Sequence, residues 1–542
     1  MTSPAELPNK TSRQRLASSI ALTIIAIGFA AQLARICQVE SSTGEVPFLS
    51  ANDRSRWCTI ATLSVNGSYE IDDILQVRDP ETRRRVWYTI DLVKHRGSDG
   101  KQHFYSSKPP LLPTLYSGVY RVIRMTTGAS LMKEPFFPAR MLLVVVNLLP
   151  LVGFWWLIAH WAAQYRMSLW AYTAFLGFVV WGCLLTTFAN SLNNHLPAAI
   201  AIGLSLYSIT RITENRSQSA LWYVLCGLCT SFAASNELPA LSWVAAAGAI
   251  LLICNPLKAL LCYVPATLPV AIAFFTANYA AHGELSPAYA HRDVGELIST
   301  ADMPDDFELS IQSIEAIRPP VEEAGVELSE TAELRKARRE GVYELWDPAS
   351  EQRIALKTPT AGQLEIYEWG DWYDYPSSYW TSDNKTGVDK GEPNRAKYIA
   401  HCLIGHHGIL SLTPFWLLSI AGCFVIVARR TSLNFFKDRQ LLVMLAVAAT
   451  TVVCIGFYLA RPLEDCNYGG ISSGFRWGLW LTPLWMWLAF FGIQHTRSRV
   501  GKTFVNITLI LSVFSASFPW ANPWTSPWPM QLLTWLNLET WH

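Results

Sequence analysis

"ARMLLVVVNLLPLVGFWWLIAHWAA", residues 139–163, carries one formal charge, Arg140, near its start. An apolar helix of this length spans the roughly 30 Å hydrocarbon core of a bilayer. Similar runs recur near 18–36, 169–189, 196–210, 220–235, 238–254, 259–279, 408–428, 441–460, 478–494 and 504–520. Together they predict about eleven transmembrane helices. Composition agrees: 51% of the 542 residues are hydrophobic and 16% are charged, against about a quarter charged in soluble domains. The expected fold is an all-α polytopic membrane protein.

Other classes are disfavoured. The net charge is +1 and no basic patch interleaved with aromatics marks a nucleic-acid interface, so no nucleic-acid partner is expected. Most of the eleven cysteines lie inside apolar runs. Cys226 and Cys229 form a CxxC, but within a hydrophobic segment, where small apolar filler is the plainer reading. Cys58, Cys402 and Cys466 lie outside the runs, and the sequence leaves their pairing open.

Two long polar stretches interrupt the apolar pattern. The chain divides into an N-terminal transmembrane module, 1–280, containing a large first loop at 39–138; an insert of mixed character at 281–403; and C-terminal helices, 404–542, with a tail rich in tryptophan (Trp520, Trp524, Trp528, Trp535, Trp541). Lys10, Arg13 and Arg15 precede the first run, which lacks a cleavage site and reads as a signal anchor. Alternate short connections carry Arg166, Arg211 and Arg216, Lys258, the Arg429, Arg430, Lys437, Arg439 group, and Arg497, Arg499, Lys502. The positive-inside rule makes these cytoplasmic and puts both long stretches on the exoplasmic face.

Uncommon polar residues then gather on that face. Asp53, Asp72, Asp73 and Lys108 lie in the first loop; "NSLNNHLP" (190–197) supplies His195; "SNELP" (235–239) supplies Glu237; "GHHG" (405–408) supplies His406 and His407. "RPLEDCNYGGISSGFRW" (461–477) adds Glu464, Asp465, Asn467, Tyr468 and Arg476. Each also has a bland reading, such as a helix-terminal acid for Asp53 or Glu237, a snorkelling lysine for Lys108, or an interfacial anchor for Arg476. Taken together, three cationic elements with nearby carboxylates suggest a phosphate-bearing lipid and a general base. No acidic pair stands at metal-ligand spacing, so neither a metal nor another cofactor is expected.

The stretch from "NDRSRW" (52–57) through "YSSKPPLLPTL" (105–115) resembles the first exoplasmic loop of the GT-C-fold glycosyltransferases of family 39, which include lipid A aminoarabinose transferases and protein O-mannosyltransferases. Asp53, Arg56 and Trp57 match its first motif, and Tyr105, Lys108, Pro109, Pro110 and Leu111 its second. Gly469, Gly470, Gly474, Phe475 and Arg476 are similar to a late exoplasmic motif of relatives. The resemblance implies a GT-C-like fold in a bacterial inner or plasma membrane, with its active site on the periplasmic face. It implies inverting transfer of a sugar from a polyprenyl phosphate to an acceptor hydroxyl on a lipid, glycan or protein. Asp53 would be the base, with Asp72 or Asp73 as the alternative. Lys108 and Arg476, with His406 or His407, would bind donor phosphate, and Arg56, Tyr105, His195, Glu237, Asn467 and Tyr468 would contact substrate.

The chain departs from the family where Ser107 replaces a frequent glutamate and where Asn193, Asn194 and His195 replace an acid. In the insert, "ETAELRKARREGVYELWD" (330–347) reads as a charged helix, and "EIYEWGDWYDYPSSYW" (365–380) as aromatic packing rather than a sugar platform. A lipid-linked glycan polymerase or ligase is the nearest competing function. A polytopic transporter is the more distant one, disfavoured by the absence of repeated halves.

Overall fold

The computed structural model describes residues 10–165, 167–214, 216–381, 384–429 and 438–538. Arg166, Arg430, Lys437 and Trp541, and the side chains of Lys10 and Glu464, lie outside the described residues. The chain forms two compact units: one from Met1–Ser50, Val122–Ala273 and Thr386–His542, the other from Ala51–Arg121 and Phe274–Lys385. The second unit thus joins Ala51–Arg121, from the first polar loop, to Phe274–Lys385, which includes most of the insert.

Seven helices are long and apolar enough to cross a membrane: Arg13–Cys37, Phe136–Ala163, Leu169–Asn190, His195–Thr213, Pro256–His282, Arg439–Leu459 and Arg499–Ser517. Ala220–Asn236, Leu238–Cys254 and Pro414–Ala428 are apolar but shorter. The expected segment at 478–494 is a 3₁₀ turn, Arg476–Leu481, running into the helix Thr482–Gln494. The chain thus carries the helices of a membrane protein, seven of full length among the described residues. Leu261, Phe424, Val452, Val500 and Ile510 are each more than half exposed, as expected of side chains that meet lipid rather than water.

Within the first unit the helix Leu169–Gly177 continues as a π-helical turn, Phe178–Gly182, and breaks at Cys183, whose backbone is extended. A break leaves carbonyls without helical partners, which is costly inside a bilayer. Arg35 donates to the carbonyls of Thr186 and Thr187 at 3.3 and 2.9 Å, and Asn147 to those of Ala189 and Ser191 at 3.0 and 2.8 Å. Side chains from other helices therefore satisfy carbonyls of the turns Leu184–Thr187 and Phe188–Asn190 that follow the break, and of Ser191 just beyond them.

The second unit is not all helical. Its first segment is the helix Ala51–Val65, with Trp57, Cys58 and Ile60 fully buried. A hairpin follows, Leu92–Arg96 against Gln102–Ser106, in register Leu92 with Ser106. The insert forms a five-stranded antiparallel sheet in the order Leu297–Asp302, Gln363–Glu368, Gln352–Lys357, Tyr343–Asp347, Glu333–Lys336. The helix Ile314–Glu323 packs Ile317 and Val321 on Leu334, Leu345, Ile354 and Ile366. The stretch expected as a charged helix at 330–347 is instead two strands joined through Gly341, whose φ of +75° suits a turn. Its apolar residues Leu334 and Leu345 face one another across the pair, and their burial overrides the helix propensity of the Lys, Arg and Glu between them. In the aromatic run Trp372, Tyr373 and Tyr375 are buried, which agrees with packing.

Candidate functional site

In the second unit the first-loop motifs are tied together by a residue that no motif contains. Asp53 stands in the first turn of Ala51–Val65 and is fully buried, where the helix dipole favours a carboxylate. Two residues on, Ser55 gives its hydroxyl proton to the Asp91 carbonyl at 2.7 Å, so the 2.6 Å contact between Ser55 Oγ and Ser106 Oγ is donated by Ser106. Ser106 Oγ accepts the Lys108 N–H at 3.2 Å, and the Ser107 N–H donates to the Asp91 carbonyl at 3.1 Å. The Lys108 ammonium meets the Asp91 carboxylate at 3.0 Å. Pro109 and Pro110 then lead into the helix Leu111–Thr127; prolines suit this position because N-terminal helix positions need no N–H partner. Lys108 is thus fixed between a strand end and a helix start. Arg56 is buried and donates to the main-chain carbonyl of Asn52 at 3.0 Å and to its side-chain oxygen.

The alternative base candidates are engaged otherwise. Asp72 accepts the Phe104 N–H at 3.2 Å and contacts His103 Nδ1 at 3.2 Å, pinning the hairpin to the four-residue helix Asp72–Leu75. Asp73 is exposed on that helix. Tyr105 is buried and stacks on His95 at 4.1 Å. His95 in turn lies 4.1 Å from Trp372, which stacks on His291 at 3.5 Å, and His95 Nε2 bonds His282 Nδ1 at 3.0 Å. Burial pushes the His95 imidazole down to about 4, so it is neutral at neutral pH.

In the first unit, residues from three separate chain segments meet. His195 opens the helix His195–Thr213, Glu237 follows the helix Ala220–Asn236, and Arg476 begins the turn before Thr482–Gln494. His195 Nδ1 bonds Glu237 Oε1, and Asn194 Nδ2 donates to the same oxygen at 2.7 Å. Arg476 Nη1 approaches His195 Nε2 at 3.4 Å, its Nε donates to the Gly469 carbonyl at 2.6 Å, and its guanidinium carbon lies 5.0 Å from the Trp524 ring. Tyr468, Gly469 and Gly470 have φ of +58°, +91° and +81°. A Cβ on Gly469 would lie 2.9 Å from Arg476 Nε, so this glycine is what lets the turn close on the arginine.

Asn467 and Tyr468 shape that turn. Asn467 Oδ1 accepts the Gly469 N–H at 3.2 Å, while the buried Tyr468 donates its hydroxyl to Glu392 at 2.9 Å. His407 stacks on Tyr468 at 4.2 Å, and His406 Nδ1 meets His407 Nδ1 at 2.5 Å. Burial acts against the charged form of both histidines. Burial pushes His406 down to about 3 and His407 well below the ordinary imidazole value, with neighbouring histidines acting in the same direction. They are neutral packing and hydrogen-bonding groups at neutral pH.

Among the described residues no cluster of three or more His, Cys, Asp or Glu side chains is arranged to hold a metal ion. A small pocket of about 40 Å³ in the helical unit is lined by Phe154, Trp161, Phe175, Gly203, Leu206 and Trp487 among others. Its walls bear no carboxylate, imidazole or cation. Asp91, Ser55 and Ser106 escape sequence inspection because "TIDLVKHR" and "RSRW" give a lone acid and ordinary serines no special spacing. His95 and Trp372 lie nearly 280 positions apart, beyond any local pattern. No protein-family model matches the chain, and no curated protein sequence is significantly similar to it.

Proposed function

We propose that the protein is a membrane glycosyltransferase of the GT-C type, moving a sugar from a polyprenyl phosphate to an acceptor hydroxyl in an inverting displacement. The observation that carries this is the stitch through Asp91. Two stretches about fifty residues apart, recognised by their likeness to one family's first-loop motifs, are joined by Ser55, Ser106 and Asp91, which anchor Asp53's helix to the Lys108 turn. A loop whose motifs served only solubility would not need buried, mutually bonded polar groups.

In this account Asp53 accepts the acceptor's hydroxyl proton as that oxygen attacks the anomeric carbon, and the bond from that carbon to the phosphate oxygen breaks. Lys108 balances the charge left on the departing phosphate. Asp91 is the counter-ion that Lys108 exchanges for phosphate. Arg476 offers a further anion-binding group in the other unit. The outer face of a bacterial membrane is the proposed location, following the charge pattern of the short connections. The test is release of polyprenyl phosphate from sugar-charged donor by purified protein, wild type against Asp53→Asn.

A further inference from the structure

We infer that His195 and Glu237 are positioning residues that hold the Arg476 guanidinium ready for a phosphate group without touching the ligand themselves. This rests on the proposal that the protein binds a phosphate-bearing donor.

Arginine has donors only, so the ring nitrogen facing Arg476 Nη1 must present its lone pair. The proton of His195 therefore sits on Nδ1, where Glu237 accepts it. Asn194 fixes the carboxylate from the other side. The three groups form a line in which acid orients imidazole and imidazole orients guanidinium, the logic by which outer partners fix a histidine's tautomer in metal sites.

Exposure separates the roles. His195 is 2% and Glu237 6% exposed, while Arg476 is only partly buried. His195 and Glu237 are therefore the more deeply buried pair, with Arg476 the nearer of the three to the surface. A carboxylate paired directly with Arg476 would occupy the hydrogen-bonding edge that phosphate uses. Placed one imidazole away, Glu237 offsets part of the burial of positive charge while acting on Arg476 through His195. Gly469 and Trp524 restrain the guanidinium further, reducing the side-chain freedom lost when an anion binds.

The test measures binding of farnesyl phosphate and, separately, inorganic phosphate to the full-length protein in nanodiscs, with thermal unfolding followed in parallel. His195→Asn keeps a donor toward Glu237 but offers Arg476 nothing. His195→Gln reaches Arg476 with an acceptor but gives up Glu237. Farnesyl phosphate is expected to bind about tenfold more weakly to His195→Asn and within about threefold of wild type to His195→Gln. Equal losses in both, or losses that only follow a fall in melting temperature, overturn the inference. Should His195→Asn not fold, Glu237→Gln decides: an expected loss of about threefold at unchanged melting temperature supports it, and unchanged binding overturns it. The same variant order with inorganic phosphate supports the relay and makes free phosphate sufficient; the order with farnesyl phosphate alone supports it and requires the lipid-linked form. Arg476→Ala at wild-type affinity would instead remove the phosphate role of Arg476, and the inference with it.

Discussion

The Asp91 carboxylate lies 3.0 Å from the Lys108 ammonium, with side chains 7% and 18% exposed. Removing one member of such a pair strands the other's charge in a poorly hydrated place, at a cost of about 3 kcal/mol. Asp91→Leu and Lys108→Met are each expected to lower the melting temperature, and the double variant to recover most of the loss. Additive losses in the double-variant cycle would show that the two groups are not coupled.

Asp53→Asn is close to isosteric and is expected to leave the melting temperature within a few degrees of wild type. Donor turnover should fall by at least about 100-fold, the scale of a lost general base. Wild-type turnover would exclude Asp53 as the base. Asp72 holds Phe104 N–H and His103, so Asp72→Asn is expected to act on the hairpin it pins.

Acid should weaken the second unit through its ring stack. The folded His95 titrates near 4 because burial disfavours its charged form, below the ordinary value of 6.5. Between those values the unfolded chain binds the proton and the folded one does not, so stability falls as pH drops from about 6.5 and levels off below about 4. The His95 share is roughly 3 kcal/mol. Thermal unfolding from pH 8 to pH 4 should be less steeply pH-dependent in His95→Phe; an unchanged profile would count against the buried neutral imidazole.

Gly469→Ala places a methyl against Arg476 Nε at a φ of +91°, a conformation that costs a non-glycine residue about 1–2 kcal/mol. The variant should fold and lose affinity for phosphate. Wild-type affinity in binding titrations would mean that the turn does not set the arginine.

Much of this was legible in the sequence, and unevenly so. Apolar runs such as 139–163 identify membrane helices because length and hydropathy are local properties. His195, Glu237 and Arg476 stand out as polar groups at the ends of apolar runs, and the structure brings them together. His406 and His407 show why residue type is not charge: their burial, invisible in "GHHG", removes the proton that would make them cations. The hairpin pairing at 333–347 depends on neighbouring strands, and Asp91 depends on a chain reversal. Neither leaves a periodic trace.

The most direct measurement is a cryo-EM structure of the full-length protein with a polyprenyl phosphate bound. The account predicts the phosphate within hydrogen-bond reach of Lys108 Nζ, with the Asp91 carboxylate moved off its present 3.0 Å contact. A bound phosphate elsewhere, with the Lys108–Asp91 pair intact, would contradict it.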